Sequence, residues 1–224
     1  RRDVFPQYKW ARRNNRTESS LDFDLIFKCL NMVRDEIAAN MPYKVVYIPN
    51  VEADDIIGTL VEQTQEFGQH EDIMIISADK DFIQLQKYGN VKQYSPMTKK
   101  FIKDDNPHSY LFEHVLKGDS SDGIPNVLSG DDTFVESIRQ SPMTKKKIQE
   151  YVDNSENLES YMTAEVYRNY KRNQLLVDLA YVPTEIKKTI IDTSEAVKVP
   201  HRMKILNYLI KNRCKLLIEC IEDF

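Results

Sequence analysis

Three short acidic stretches could do chemistry in this chain of 224 residues: Glu52, Asp54 and Asp55 in EADD, Asp79 and Asp81 in ISADKDFIQL, and Asp119 and Asp122 in GDSSDG. Together they hold seven carboxylates and no histidine or cysteine. All-oxygen ligation selects hard cations such as magnesium or manganese. Seven carboxylates exceed what one ion needs, which points to a pair. Two such ions can stabilise the attacking and leaving oxygens of an in-line phosphoryl displacement, so phosphodiester hydrolysis is the natural reaction class. Each cluster also has a plain structural reading. Acidic residues in a first helical turn suit the helix dipole, Asp79 can cap a short helix starting near Asp81, and Asp119 and Asp122 can belong to a surface Asx-turn.

The elements around these clusters bring them together. Ile73-Met74-Ile75-Ile76 has the composition of a buried strand, and polarity switches at its end to Ser77, Asp79, Lys80 and Asp81. Ligands of open α/β sheets bind beyond such carboxyl ends. Val45 to Ile48 reads as a second buried strand, and a helix through Ile56, Ile57, Leu60 and Val61 that ends at Gly68 joins the two. Glu52 and Asp55 share a face of that helix, with Asp54 adjacent. A right-handed crossover would set the two strands parallel with their carboxyl ends together, where the acidic groups repel unless cations sit between them. Leu21 to Ala39 has helical apolar spacing and is expected to pack on the sheet. Val91 to Ser95 and Lys100 to Ile102 read as an edge hairpin whose Lys99, Lys100 and Lys103 protect the edge. A helix from Ser109 to Lys117 stops at Gly118. Beyond Asp131 the pattern predicts helices at Phe134–Arg139, Thr144–Val152, Ala164–Leu179 and Thr184–Ile191, and two more between His201 and Glu222. The fold class is therefore α/β, a mostly parallel twisted sheet with flanking helices plus a C-terminal helical lobe. Three segments follow: a basic arm at 1–20, an α/β core at 21–118 and a helical lobe at 119–224.

Composition narrows the class. With 41% hydrophobic residues the chain can bury a sizeable core and is neither disordered nor fibrous. Its sequence shows no span-length apolar run and no signal-peptide pattern. Three scattered cysteines, Cys29, Cys214 and Cys220, form no disulfide framework or zinc spacing and fit a reducing, intracellular compartment. The net charge of −4 is unevenly placed: residues 1–18 carry +4 and the remainder −8. A basic arm on an acidic body suits a protein that grips phosphates with one part and cations with another. Phe5, Tyr8 and Trp10 lie among the basic side chains of the arm, a mixture that suits stacking on unpaired bases. The alternative for the arm is a solvated run at a frayed terminus.

In this order and spacing, EADD, ISADKDFIQL and GDSSDGIPNV resemble the structure-specific 5′ nuclease (flap endonuclease) family, which includes the 5′ nuclease domains of bacterial DNA polymerase I. The stretches DKDFIQLQKYGNVKQYSPMTKKF and LKGDSSD, with the helical tail, resemble its T-even bacteriophage ribonuclease H branch. The resemblance implies a PIN-like 5′ nuclease core that removes RNA primers and 5′ flaps from duplex or forked DNA in lagging-strand replication. It implies two Mg2+ ions, replaceable by Mn2+. Glu52, Asp54, Asp79 and Asp81 would serve mainly the first ion and Asp119 and Asp122 the second, with Asp81 and Asp55 ligating directly or through water. The segment 1–20 would be the arch segment, with Lys9, Arg1 and Arg12 touching phosphates near the scissile bond. Expected partners are forked or flapped DNA, RNA–DNA hybrid, a single-stranded-DNA-binding protein and a sliding clamp. The protein would be a monomer, away from any membrane, in the cytoplasm of a phage-infected cell. Family members carry two aspartate-ending strands ahead of the arch that this chain lacks, so inactivity is expected unless that portion accompanies it. The alternatives are a non-catalytic fork-binding or replication-protein module with structural cations, and an RNA-cleaving nuclease of the related PIN-domain class.

Overall fold

The apolar run Ile73-Met74-Ile75-Ile76 does form a strand, β1 (Ile73–Ile76), in a computed structural model that describes residues 1–66 and 70–224. Its sheet partner is β2 (Val91–Ser95), paired in parallel with Ile73 opposite Val91. The predicted hairpin follows, with β3 (Lys100–Ile102) antiparallel to β2. The result is a small mixed sheet in the order β1-β2-β3. Val45 to Ile48 joins no strand pairing among the described residues. Composition favours extension there, but an extended segment becomes a strand only where a neighbour completes its hydrogen-bond ladder.

The chain divides into two units, residues 1–18 with 52–187 and residues 19–51 with 188–224. These boundaries differ from the segments 1–20, 21–118 and 119–224 drawn on composition. The first unit holds the sheet. Helix α3 (Ala53–Gln65) and the 3-10 helix Lys80–Lys87 close over β1 and β2 through Val61, Ile75, Phe82, Leu85, Val91 and Leu179. The expected end of α3 at Gly68 lies outside the described residues. Helix α4 (Pro107–Lys117) starts two residues before the expected Ser109, with Asn106 as N-cap and Pro107 in the first turn. It meets α7 (Ala164–Val177), while α5 (Lys145–Asp153) and α6 (Leu158–Tyr161) build a further core with Leu116, Val127 and Met162.

The arm departs from expectation. Helix α1 occupies Trp10–Glu18, and Phe5 and Tyr8 are only 1% and 4% exposed, packed with Val115, Ile124, Leu176 and Val177. Those two rings are core residues and offer no face to a base. Apolar burial overrides a composition that looks like a nucleic-acid arm. Phe134–Arg139 forms turns where a helix was predicted: Asp132 O accepts from Val135 N and Glu136 N, and Ser137 at φ +56° breaks any continuation.

In the second unit, α2 (Phe23–Asn40) is capped by Asp22, whose carboxylate accepts from Leu25 N. Helix α8 (Thr184–Ala196) crosses between the units in sequence, and α9 (Met203–Lys211) and α10 (Lys215–Glu219) complete this one. Its small core gathers Met41, Ile205 and Leu209 with Ile37, Tyr208 and Phe224. Only the C-terminal end of α2 reaches that core; Leu25 and Leu30 are 55% and 58% exposed.

Candidate active site

Each acidic cluster stands where its local sequence puts it. Glu52 is the N-cap residue of α3 and has extended backbone, but its carboxylate makes no cap, leaving it open to other partners; Asp54 and Asp55 follow in the first turn. Asp79 does cap the 3-10 helix, accepting from Asp81 N at 3.0 Å. Gln93 of β2 fixes the turn above it, donating to Ser77 O at 3.0 Å and Asp79 O at 2.5 Å. The third cluster follows α4. Gly118 adopts φ +66°, and a Cβ on it would stand 2.3 Å from Ile124 O, so only glycine fits. Asp119 Oδ1 then accepts from Ser121 N at 2.7 Å, and Ile124 N returns to Asp119 O at 2.7 Å.

Helix α7 holds this loop from behind. Asn173 donates to Val115 O and Pro125 O, both at 2.9 Å, and Asn169 donates to Val127 O and Ser129 O at 3.0 and 3.2 Å. Arg172 adds a bond to Pro125 O at 3.1 Å and an ion pair with Asp131. Buried amides and a buried guanidinium at these positions satisfy carbonyls that the turn cannot pair itself.

The carboxylates converge in two groups that share one member. Asp54, Asp79 and Asp81 offer oxygens within 4.8 Å of one another, and so do Asp81, His114 and Asp119 with one ligand atom each. Burial, and then the charges of Asp79, Asp119, Asp54 and Asp122, push the Asp81 carboxyl up to about 7. Asp54 is raised by burial and then by Asp79. No Lys or Arg lies within ion-pair distance of Asp54, Asp79, Asp81 or Asp119 among the described residues. Carboxylates gathered without counter-charge have the donor chemistry of a hard-cation site.

Glu52, Asp55 and Asp122 are different. Arg1 lies 2.5 Å from Glu52 and 2.8 Å from Asp55. Lys9 Nζ lies 2.7 Å from Glu52 and 3.5 Å from Asp122. Arg12 lies 2.8 Å from Asp122 Oδ1 without hydrogen-bond geometry to it, and donates to Ser121 O at 3.0 Å. Burial works against the Glu52 charge, but the Lys9 hydrogen bond and Arg1 outweigh it and lower the Glu52 pKa; burial raises Asp55 despite Arg1. The three basic residues singled out in the sequence therefore border the acidic centre, each paired with a carboxylate.

Two residues stand at the site that the sequence did not assign to it. Tyr8 Oη stands 2.9 Å from Glu52 Oε2 and 3.0 Å from Asp122 Oδ2, linking the first and third clusters; burial raises its pKa. His114 brings a nitrogen into a site that was read as carboxylate only, and burial lowers its pKa. Its signal was its place in the last turn of a helix that runs directly into Asp119.

Comparisons with known proteins give the family. Residues 1–111 match the family model for the 5′-3′ exonuclease, N-terminal resolvase-like domain, and residues 107–224 match that for T4 RNase H, C terminal. The ribonuclease H of Enterobacteria phage T4 is 36% identical over 100% of this chain and 74% of that protein. DNA polymerase I of Bacillus caldotenax is 30% identical over 62% of this chain and 16% of that protein. Among solved structures, the T5 D15 protein co-crystallized with metal ions superposes with a TM-score of 0.59 at 18% identity, covering 88% of this chain and 80% of that one. The T5 D15 flap endonuclease in complex with DNA and metal ions gives 0.53 at 18% identity, covering 87% and 79%.

Proposed function

The chain belongs to the flap nuclease family of phage T4 ribonuclease H and the 5′-3′ exonucleases, and is a phosphodiesterase; we propose that it hydrolyses RNA primers and 5′ flaps on duplex or forked DNA during lagging-strand replication, using two magnesium ions. The observation that carries this reading is the position of Asp81, common to both ligand groups, with its carboxyl pushed up to about 7 by burial and then by its acidic neighbours. Asp54, Asp79 and Asp81 would hold one ion and Asp81 and Asp119 the other, with Glu52, Asp55 and Asp122 at the border. Such ions supply Lewis-acid polarisation of the phosphoryl group and neutralise charge on the leaving oxygen.

The chain's own residues do the rest. Lys9, Arg1 and Arg12 exchange carboxylate partners for substrate phosphates, which places positive charge beside the scissile bond. Tyr8 keeps Glu52 and Asp122 in register while those partners leave. Within segment 1–20, helix α1 acts as the DNA-facing part of the arch while Phe5 and Tyr8 anchor it in the core; the nuclease core lies within residues 52–118 and the helices beyond 119 form a DNA-binding lobe. A single-stranded-DNA-binding protein and a sliding clamp are the partners in this scheme, and the cytoplasm of an infected cell is the compartment. No helix among the described residues is long and apolar enough to cross a membrane. The nuclease relatives favour cleavage over a non-catalytic fork-binding role.

A labelled 5′-flap duplex incubated with the complete protein, including the N-terminal portion expected ahead of the arch, and magnesium, against an EDTA control, tests the proposal. Cleavage that needs magnesium and is lost in Asp81→Asn, with flap binding kept, is the expected result. Cleavage unaffected by EDTA or by Asp81→Asn would overturn it.

A further inference from the structure

His114 is held at the end of α4, where Gly118 N donates to His114 O at 2.8 Å and the ring meets Tyr110 edge-on with centroids 5.9 Å apart. Its Nδ1 is buried and has no hydrogen-bond partner among the described residues. The nearest acidic oxygen, Asp81 Oδ1, is 3.6 Å away, too far for a hydrogen bond. A buried polar atom with no partner is costly and rare. Asp81, His114 and Asp119 nevertheless each direct a ligand atom into a space where all three lie within 4.8 Å.

We propose that His114 Nδ1 is a direct ligand of the cation held by Asp81 and Asp119, giving that position a mixed nitrogen and oxygen donor set. The inference rests on the metal-dependent reading above and deepens it. Ligand bonds of about 2.1 Å place donors of one ion roughly 3.0–4.2 Å apart, and the His114 to Asp81 separation falls inside that range. A histidine packed for structure alone would be expected to satisfy Nδ1 with a carbonyl or hydroxyl. Imidazole is a borderline ligand that suits zinc or iron; manganese, though mainly an oxygen binder, accepts it more readily than magnesium, which prefers oxygen throughout. The two positions of the centre therefore differ in preference: the carboxylate group Asp54, Asp79 and Asp81 takes magnesium readily, and the His114 position favours the borderline ions.

The test uses the full chain loaded with Mn2+ alone and read by pulsed electron paramagnetic resonance for 14N coupled directly to the metal. The wild-type spectrum is expected to show imidazole nitrogen, shifted to the 15N pattern when histidine is ring-labelled. His114→Gln is expected to lose the nitrogen signal and weaken Mn2+ binding at one position by about tenfold or more, since even an outer-sphere partner is worth that much. Mg2+ binding at the other position should change by less than about threefold, because its ligands are untouched. The wild-type spectrum decides the matter without any variant. Mn2+ bound with no coupled nitrogen overturns the role of His114 and leaves the carboxylate centre standing. Nitrogen coupling that persists in His114→Gln also overturns it, by pointing to another histidine. Failure to bind Mn2+ at all overturns both the ligand and the metal-dependent reading.

Discussion

Lys9 Nζ stands 2.7 Å from Glu52 Oε1, so a side chain assigned to substrate phosphate is held by a carboxylate at the edge of the metal centre. Cation and ammonium compete for the same charge. Lys9→Met should raise magnesium affinity severalfold in titration calorimetry, while flap cleavage falls by about 10²–10³-fold, the usual cost of losing one preorganised stabiliser. Equal losses in both measurements would show that Lys9 only supports the fold.

Tyr8 can be separated from its hydroxyl. Tyr8→Phe keeps the buried ring and removes the group shared by Glu52 and Asp122. Urea denaturation should show a loss of about 1–2 kcal/mol, the cost of unpairing buried acceptors. Unchanged stability would mean that neither carboxylate depends on it.

Asp81 predicts a pH dependence with a definite sign. Its folded pKa of about 7 lies above the ordinary value of 3.8, so the folded state binds the extra proton and stability falls as pH rises between those values. In EDTA the urea midpoint should therefore drop from pH 5 to pH 8, by a span on the order of a few kcal/mol. Asp81→Asn should flatten the curve and be the more stable protein at pH 8. Added magnesium should stabilise the wild type more at pH 8 than at pH 6, because binding displaces that proton. A curve that rises over this range would contradict the repulsion described for the centre.

Gly118→Ala forces a Cβ against Ile124 O at a positive φ. A loss of roughly 2–4 kcal/mol is expected, together with weaker Mn2+ binding as Asp119 is displaced. An alanine variant that melts with the wild type would mean that the loop repacks freely.

The pattern along the chain was enough to find the parts that depend on neighbours in sequence. Asp79 caps its helix and also brings an oxygen within 4.8 Å of ligand atoms of Asp54 and Asp81, so the plain reading of that residue does not exclude the functional one. The end of α4 at Gly118 and the β2–β3 hairpin are where the sequence places them. Long-range satisfaction was not legible. Nothing local distinguishes a Phe5 or Tyr8 that stacks on bases from one that fills a core, and nothing near Val45 reveals whether a strand will pair with it. His114 illustrates the same limit, since its nearness to Asp81 is fixed by packing across thirty-two intervening positions. Arg1, Lys9 and Arg12 were identifiable as cations, but only three-dimensional proximity shows them bound to Glu52, Asp55 and Asp122.

The bonds from α7 to the loop before it also set an order in time. Asn173 reaches back 58 residues to Val115, and Asn169 reaches back 42 to Val127. A growing polypeptide emerges N-terminal end first. Glu52, Asp54, Asp79 and Asp81 can therefore leave the ribosome well before the carbonyls around Asp119 have anything to bind them. The carbonyls on either side of Asp119 gain these partners only once residue 173 has been made, so the support of the third acidic cluster is completed late along the growing chain.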